Sequence, residues 1–472
     1  MTTKEENKLE EGKVKNKVKI TFAGGAVTPT GSNFLLEYGD KKFLVDCGLY
    51  QGSRIAEHEN REAFSYDPKT IDALFITHGH LDHVGRIGKL IHDGFDGPIY
   101  STPPTRDIGE LIMLDSLGIL SKEAFRDGLE PIYDEKDVMH AMNNWTVKKY
   151  HEEISFNAGK NNVTVTFMDA GHIMGSSMIR FEIEGKKFLF TGDLGNTPSP
   201  LLKDTEAIKD INYLVMESVY GDRNHENLED RVSKLKSVIK TTLSRNGTLM
   251  IPAFSIERTQ EILFQINNMV EKGEIPKTKI YLDSPLGIKV TRVYKKYERE
   301  YMNSDVNGVI KAGDDIFSFP GLTMTENKED SMMINADHGA KIIIAGSGMS
   351  NGGRIVHHEM RYLSDPRATL LLVGYQALGT LGRLIQEGEK KIKIKGQEIN
   401  VKCNVDMIGG FSAHKDSDGL VNFVEDSADT LKKVFIVLGE PKSAMYLGQK
   451  LYEYYGLDVK IPTLGEVVEI EL

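Results

Sequence analysis

Apolar residues in the first part of this chain come in short runs closed by glycine or by a polar group. VKITFAG, NFLLEYG and KKFLVDCG follow one another closely, then IDALFITH, VTVTFMDAGH, SSMIRFEIEGKKFLFTGD and INYLVMES. Their lengths and their content of β-branched and aromatic residues predict strands, with a hairpin turning at Glu184-Gly185. Between them, Thr105 to Met142 has helical spacing and few breakers. From about Asp222 the period changes. Leu228, Val232, Leu235, Ile239 and Leu243 fall on one helix face that ends at Asn246-Gly247, and a second helix is predicted from Ile256 to Glu271. These helices alternate with the apolar runs TLMIPAF, KIYLDS, KIIIAGSG and TLLLVGY. That alternation predicts a mostly parallel sheet covered on both faces. KIKIKGQEINVKCNVDMIGG and KKVFIVLGE then return to the earlier style. The expected organisation is a solvated arm over residues 1–17, a first unit over 18–220 completed by 392–472, and an α/β unit over 221–391 inserted between its parts.

Composition narrows the class. A chain of 472 residues exceeds one ordinary core. No apolar run approaches the roughly 18 residues that span a bilayer, so no membrane partner is expected. The start, MTTKEENKLEEGKVKNK, lacks the apolar stretch of a secretory signal. Cys47 and Cys403 lie outside any C-x-x-C pair, which favours a reduced, cytoplasmic protein over a zinc-thiolate module. The net charge of −11 argues against a surface coated in basic residues, though not against a locally positive groove.

The chemistry gathers where strands end. FLVD stops at Asp46, LFITH at His78, VTFMDAGH at His172, KFLFTGD at Asp193 and YLVME at Glu217. Strands running the same way in one sheet place such ends on one rim. His78, His80, Asp82 and His83 crowd the single loop HGHLDH, a density that is costly under a sheet rim unless something binds it. Neutral imidazole and carboxylate suit zinc. His78, His80 and His172 would make one three-residue set, Asp82 and His83 would begin a second, and Asp193 could bridge both. In the inserted unit the corresponding strand ends are Ser255, Ser284 and the turn GSGMSNGG, which leads toward a helix around Arg354 to Met360. Ligands collect at such ends in open α/β sheets, and exposed N–H groups at a helix start suit phosphate. Ser255, Arg258, Ser347 and Gly348 are therefore candidates to line a substrate path. His58, His92, His140, His151 and His225 read as solvated, and His357 and His358 as mainly structural.

With these residues assembled, the chain resembles the metallo-β-lactamase fold family through HGHLDH, the H-x-H-x-D-H signature, with Asp46 in VDCG, His172 in DAGHIMGS and Asp193 in TGDLG as its further motifs. MESVYGDR with Glu217, IGGFSAHKD with His414, and GSGMSNGGRIVHH resemble the β-CASP branch of nucleic-acid-processing nucleases, and GYQALGTLGR its bacterial and archaeal RNA-processing members. The resemblance covers about residues 18 to 472. It implies an αββα sandwich with an inserted α/β β-CASP domain, and a zinc-dependent phosphodiester hydrolase acting on RNA, single-stranded for choice, with a homodimer among the assemblies it allows. It further implies a catalytic set of His414, Glu217, Asp82 and Asp46, in which His414 is the general acid, Glu217 keeps it protonated and Asp46 orients a ligand or the water. One motif departs. The RNA-cleaving members carry a late histidine in V-H-G-E, and here IVLGEPKSA has Leu438 in its place. Leucine cannot bind zinc, so a second ion is expected to be weak or absent. Leu438 leaves open a DNA-processing nuclease of the same fold, or a catalytically weak RNA-binding subunit.

Overall fold

The computed structural model describes residues 16–472 apart from positions 53, 160 and 378. The arm expected over 1–17 thus falls almost wholly outside the described residues. Two seven-stranded sheets form the first unit. One runs, in spatial order, Val467–Glu471, Lys17–Gly24, Asn33–Tyr38, Lys41–Val45, Ala73–Phe75, Ile99–Ser101 and Trp145–Val147. The other runs Val459–Lys460, Lys433–Val437, Tyr213–Glu217, Lys186–Phe190, Ser177–Ile183, Asn161–Asp169 and Ile154–Ala158.

Large aromatic residues explain why the two sheets face each other. Phe22 meets Phe435 at 5.4 Å between ring centroids, Phe34 meets Phe190 at 6.0 Å, and Phe75 meets Phe181 at 5.4 Å edge-on. Each pair joins one sheet to the other, and all six rings are buried. Aromatic pairs at these separations add about 0.5–1.5 kcal/mol each beyond the area they bury. Helices cover the outer faces. Pro103–Asp127 and Glu135–Asn143 lie against the first sheet, and Ser417–Phe423 and Pro441–Tyr455 against the second. The helical stretch expected from Thr105 to Met142 is broken in the middle, where Gly128 adopts φ 68° and caps the first helix.

The inserted unit is a six-stranded sheet, all parallel, in the order Leu322–Met324, Lys279–Asp283, Lys341–Ala345, Thr248–Pro252, Thr369–Val373 and Asn404–Ile408. The alternation of helix and strand had pointed to this arrangement. Its far end differs from the division at 391/392. Asn404–Ile408 pairs in parallel with Thr369–Val373, so the insert keeps a strand assigned by sequence to the returning segment. The reason is the hairpin Lys391–Ile394/Gln397–Asn400, which pairs only with itself and carries the chain across to that edge.

The insert leaves and rejoins the first unit between neighbouring strands, because Tyr213–Glu217 pairs residue for residue with Lys433–Val437. One apolar cluster crosses the junction. Met174, Leu201 and Leu202 of the first unit share it with Tyr294, Tyr301 and Met302 of the insert, and helix Pro285–Tyr301 packs on helix Pro103–Asp127. Among the described residues no helix is long and apolar enough to cross a membrane.

Candidate metal centre and active site

Asp46 directly follows Val45, Thr77 to His83 follow Phe75, and Asp193 follows Phe190 by three residues. Glu217 is the last residue of its strand. The strands Lys41–Val45 and Ala73–Phe75 are parallel, as are Lys186–Phe190, Tyr213–Glu217 and Lys433–Val437, so these groups emerge at one rim. Two glycines let the rim loops close. A Cβ on Gly48 would fall 1.5 Å from the Asp82 carbonyl oxygen, and one on Gly195 would fall 1.9 Å from that of Gly171. Larger residues would push the histidine loop and the Asp193 loop away from their neighbours.

Four side chains converge tightly. His80 Nδ1 lies 3.0 Å from His78 Nε2 and 3.3 Å from His172 Nε2, and Asp193 Oδ2 lies 3.5 Å from each of the latter two nitrogens. These spacings match the edges of a tetrahedron whose centre is about 2 Å from every corner, the bond length of zinc to nitrogen or oxygen. Burial holds His78 and His172 well below the usual imidazole range and lowers His80 to about 3. The rings are thus neutral and their lone pairs are free for a metal. The residues present therefore fit a divalent ion.

Asp46 supports this group from behind. It sits in the left-handed region at φ 59° and accepts from Thr77 N–H at 2.8 Å, from Ser32 Oγ at 2.9 Å and from His83 Nδ1 at 2.6 Å. The bond to His83 turns Nε2 of that ring toward Asp193 Oδ1, 3.4 Å away, where it is buried without a hydrogen-bond partner. Burial works against a charge on His83, but Asp193 and Asp46 outweigh it and raise this ring well above the usual range. Asp82 does not complete a second compact set with His83 and Asp193. The close groupings among the described residues are His78, His80, His172 and Asp193, and then Asp193, Glu217 and His414. Burial pushes the Asp82 carboxyl up to about 6.

His414 and Glu217 meet across the rim. His414 Nδ1 lies 3.2 Å from Glu217 Oε1, and Nε2 lies 3.9 Å from Asp193 Oδ2. Glu217 is fixed by the N–H groups of Leu194 at 2.7 Å and Val219 at 3.1 Å. Burial opposes charge on His414, yet Glu217 and Asp193 overcome it and raise the ring to about 9. Sequence reasoning missed His225. It is half-buried, its Nε2 reaches the His414 carbonyl oxygen at 2.9 Å, and its ring lies 4.4 Å from Tyr220. The polar flanks of His225 concealed this, because its partner is some 190 positions along the chain.

Leu438 follows Val437 at φ 50° and is buried, with its N–H bonded to the Gly25 carbonyl at 2.7 Å. Its side chain packs into the apolar layer between the sheets.

In the insert, Ser255 Oγ and Ser284 Oγ are 3.4 Å apart at the ends of their strands. Ser347 Oγ is buried without a partner, and the Gly348 carbonyl accepts from Gln376 Nε2 at 3.1 Å. Arg258 is engaged with backbone, since its Nη1 donates to the Val373 carbonyl at 2.8 Å. Asp283 accepts from His358 Nε2, Arg354 Nη1 and Ser331 Oγ, each at 2.7 Å, and from Thr325 Oγ1 at 2.8 Å. These bonds anchor the helix that follows the glycine-rich turn.

Comparison with known proteins agrees with this geometry. Residues 28–238 match the metallo-beta-lactamase superfamily, 259–385 the Beta-Casp domain, and 398–462 the Zn-dependent metallo-hydrolase RNA specificity domain. A ribonuclease of Thermus thermophilus is 34% identical over 96% of this chain and 100% of its own length. The chain belongs to the β-CASP branch of the metallo-β-lactamase superfamily. Other β-CASP relatives are an RNase J-like protein of Methanocaldococcus jannaschii, 31% identical over 96% of this chain and 100% of its own, and transcription termination factor FttA of Methanosarcina mazei, 32% identical over 96% and 72%. A crystal structure of an Enterococcus faecalis protein of unknown function shares the fold, with a TM-score of 0.52 at 14% identity over 96% of this chain and 100% of that one. Membership of this β-CASP branch implies a metal-dependent hydrolase, with a divalent-metal site that fits the four-residue cradle.

Proposed function

We propose that this chain is a zinc-dependent ribonuclease that hydrolyses phosphodiester bonds of single-stranded RNA, in RNA processing or decay. The observation that carries the reading is the His414–Glu217 pair, 3.2 Å apart, placed beside the metal cradle. When bound by His78, His80, His172 and Asp193, zinc lowers the pKa of its water to about 7 and offers a charge to phosphate oxygens.

The protein groups act around that centre. Glu217, held by two backbone N–H groups, keeps a proton on His414. His414 gives that proton to the departing sugar oxygen through Nε2, the nitrogen that faces Asp193. Asp46 fixes the direction of the His83 ring. Asp82 lies outside both compact groupings and His83 is held charged, so a second ion, expected from the sequence at Asp82, His83 and Asp193, would be weak beside the four-residue cradle. Ser255, Ser347 and Gly348 supply hydroxyl and backbone groups along the substrate path, and Arg258 shapes it from beneath by holding the Val373 carbonyl. Buried, unpaired Cys47 and Cys403 fit a reducing cytoplasm.

The test is cleavage of matched single-stranded RNA, single-stranded DNA and duplex RNA by the zinc-supplied protein. The expected result is cleavage of the single-stranded RNA, with the other two cut more slowly. Equal cutting of DNA would turn the reading toward a DNA nuclease. RNA binding without cleavage in excess zinc would leave a binding subunit.

A further inference from the structure

A file of flat side chains leads from the surface of the insert to the proton donor. Tyr375 lies two residues beyond the strand Thr369–Val373 and is 45% exposed. The Arg223 guanidinium sits 5.9 Å from the Tyr375 ring and 5.1 Å from that of Tyr220, which places it between the two rings. Tyr220 in turn lies 6.0 Å from the His414 ring, with the planes inclined by 33°. Arg223 and Tyr220 come from the loop after Glu217 and Tyr375 from the insert, so the file spans the junction of the two units. Phe254 lies two residues past Pro252, beyond the end of the neighbouring parallel strand. It is 40% exposed and packs on Gly348, where a Cβ would fall 2.7 Å from its ring.

We propose that Tyr375, Arg223 and Tyr220 form a base-stacking subsite for the nucleotide that carries the leaving oxygen. This rests on the ribonuclease reading above and adds how the substrate is gripped. The side of the cut follows from His414. The proton donor must face the leaving oxygen, and the file ends at its ring. Chemistry favours stacking over charge alone. In a chain with 58 Lys and Arg against 69 Asp and Glu, phosphate attraction is offset over the surface as a whole. Aromatic and guanidinium planes accept any base, because every base has a π-face. Tyr220 is also packed by the His225 ring at 4.4 Å, so the exposed Tyr375 ring is the face of the file open to a base. Arg223 meets Asp222 through Nε at 3.3 Å, and that carboxylate is held from elsewhere by Lys442 at 3.0 Å and Ser443 at 3.0 Å.

The experiment measures KM and kcat of the zinc-loaded full chain on a short single-stranded oligoribonucleotide. A matched oligonucleotide, abasic on the leaving-oxygen side of the cut, is the comparison. The wild type should show a higher KM on the abasic strand, by roughly 10-fold. Tyr375→Ala should raise KM on the base-bearing strand by about the same factor, with kcat and metal content kept, and should have no effect on the abasic strand. Tyr375→Phe, which retains the ring, should behave as wild type. Arg223→Lys, which keeps the charge and loses the plane, should resemble Tyr375→Ala. A wild-type KM that is the same on both strands would overturn the proposal, as would a Tyr375→Ala effect equal on both. A wild type that cuts no RNA would remove the ribonuclease reading and the subsite with it. RNA cleavage with an unchanged Tyr375→Ala would remove the subsite alone.

Discussion

The rim of the two-sheet unit and the rim of the inserted sheet are built alike and finished differently. Each gathers polar groups where parallel strands end. On the first, three neutral imidazoles and a carboxylate face one another at 3.0–3.5 Å, beside His83, whose Nε2 lies 3.4 Å from Asp193 Oδ1. On the second, the buried carboxylate Asp283 is saturated by four donors, which together hold it down to about 2 against the cost of burial. The first rim points several ligand atoms at one place, whereas the second pairs its buried carboxylate fully and leaves only scattered atoms such as Ser347 Oγ without a partner.

That contrast can be broken by substitution. His80→Ala removes one corner of the cradle and should cost roughly 1,000-fold or more in cleavage, with loss of bound metal and little change in the stability of the metal-free protein. Elemental analysis beside an RNA cleavage assay checks it, and retained metal would count against the four-residue set. His414→Ala should keep the metal and lose about 100- to 1,000-fold in kcat, because a general acid is removed and no ligand is. Asp283→Ala reverses the pattern. It leaves Arg354 and His358 facing an empty place and should destabilise the fold by about 3–5 kcal/mol. Metal content at low temperature should be unchanged, and denaturant melts with metal analysis separate the two.

The smallest effect concerns Glu359, which is fully buried, accepts from Ser350 Oγ, and whose carboxyl burial raises to about 7. Below about pH 4.5 the group is protonated whether the chain is folded or not. Between there and pH 7 only the folded chain keeps the proton, so its contribution to stability is lost as pH rises through that window. Glu359→Gln should therefore gain on the wild type from pH 5 to pH 8, by up to roughly 3 kcal/mol. Parallel melting curves across that range would show it.

Much of the first rim was legible in the chain, since Asp46, the histidine loop, Asp193 and Glu217 all terminate apolar runs of strand length, and such runs are read from period alone. The second rim was legible only in outline. Ser255, Ser284 and the glycine-rich turn were placed by the same rule, but Tyr220, Arg223 and Tyr375 carry no spacing that links them. Their meeting depends on how the two units pack. His225 and the strand Asn404–Ile408 were misjudged for a related reason. His225 finds its partner across a long excursion of the chain, and Asn404–Ile408 finds Thr369–Val373 only after the intervening hairpin has turned the chain back.

That excursion has a cost during synthesis. Tyr213–Glu217 must wait for Lys433–Val437, and Lys17–Gly24 for Val467–Glu471, before either gains its last neighbour. On the ribosome, both sheets therefore present a raw edge while the whole insert is being made, and such edges are templates for pairing with the wrong chain. The nascent protein is at greatest risk of aggregation in that interval.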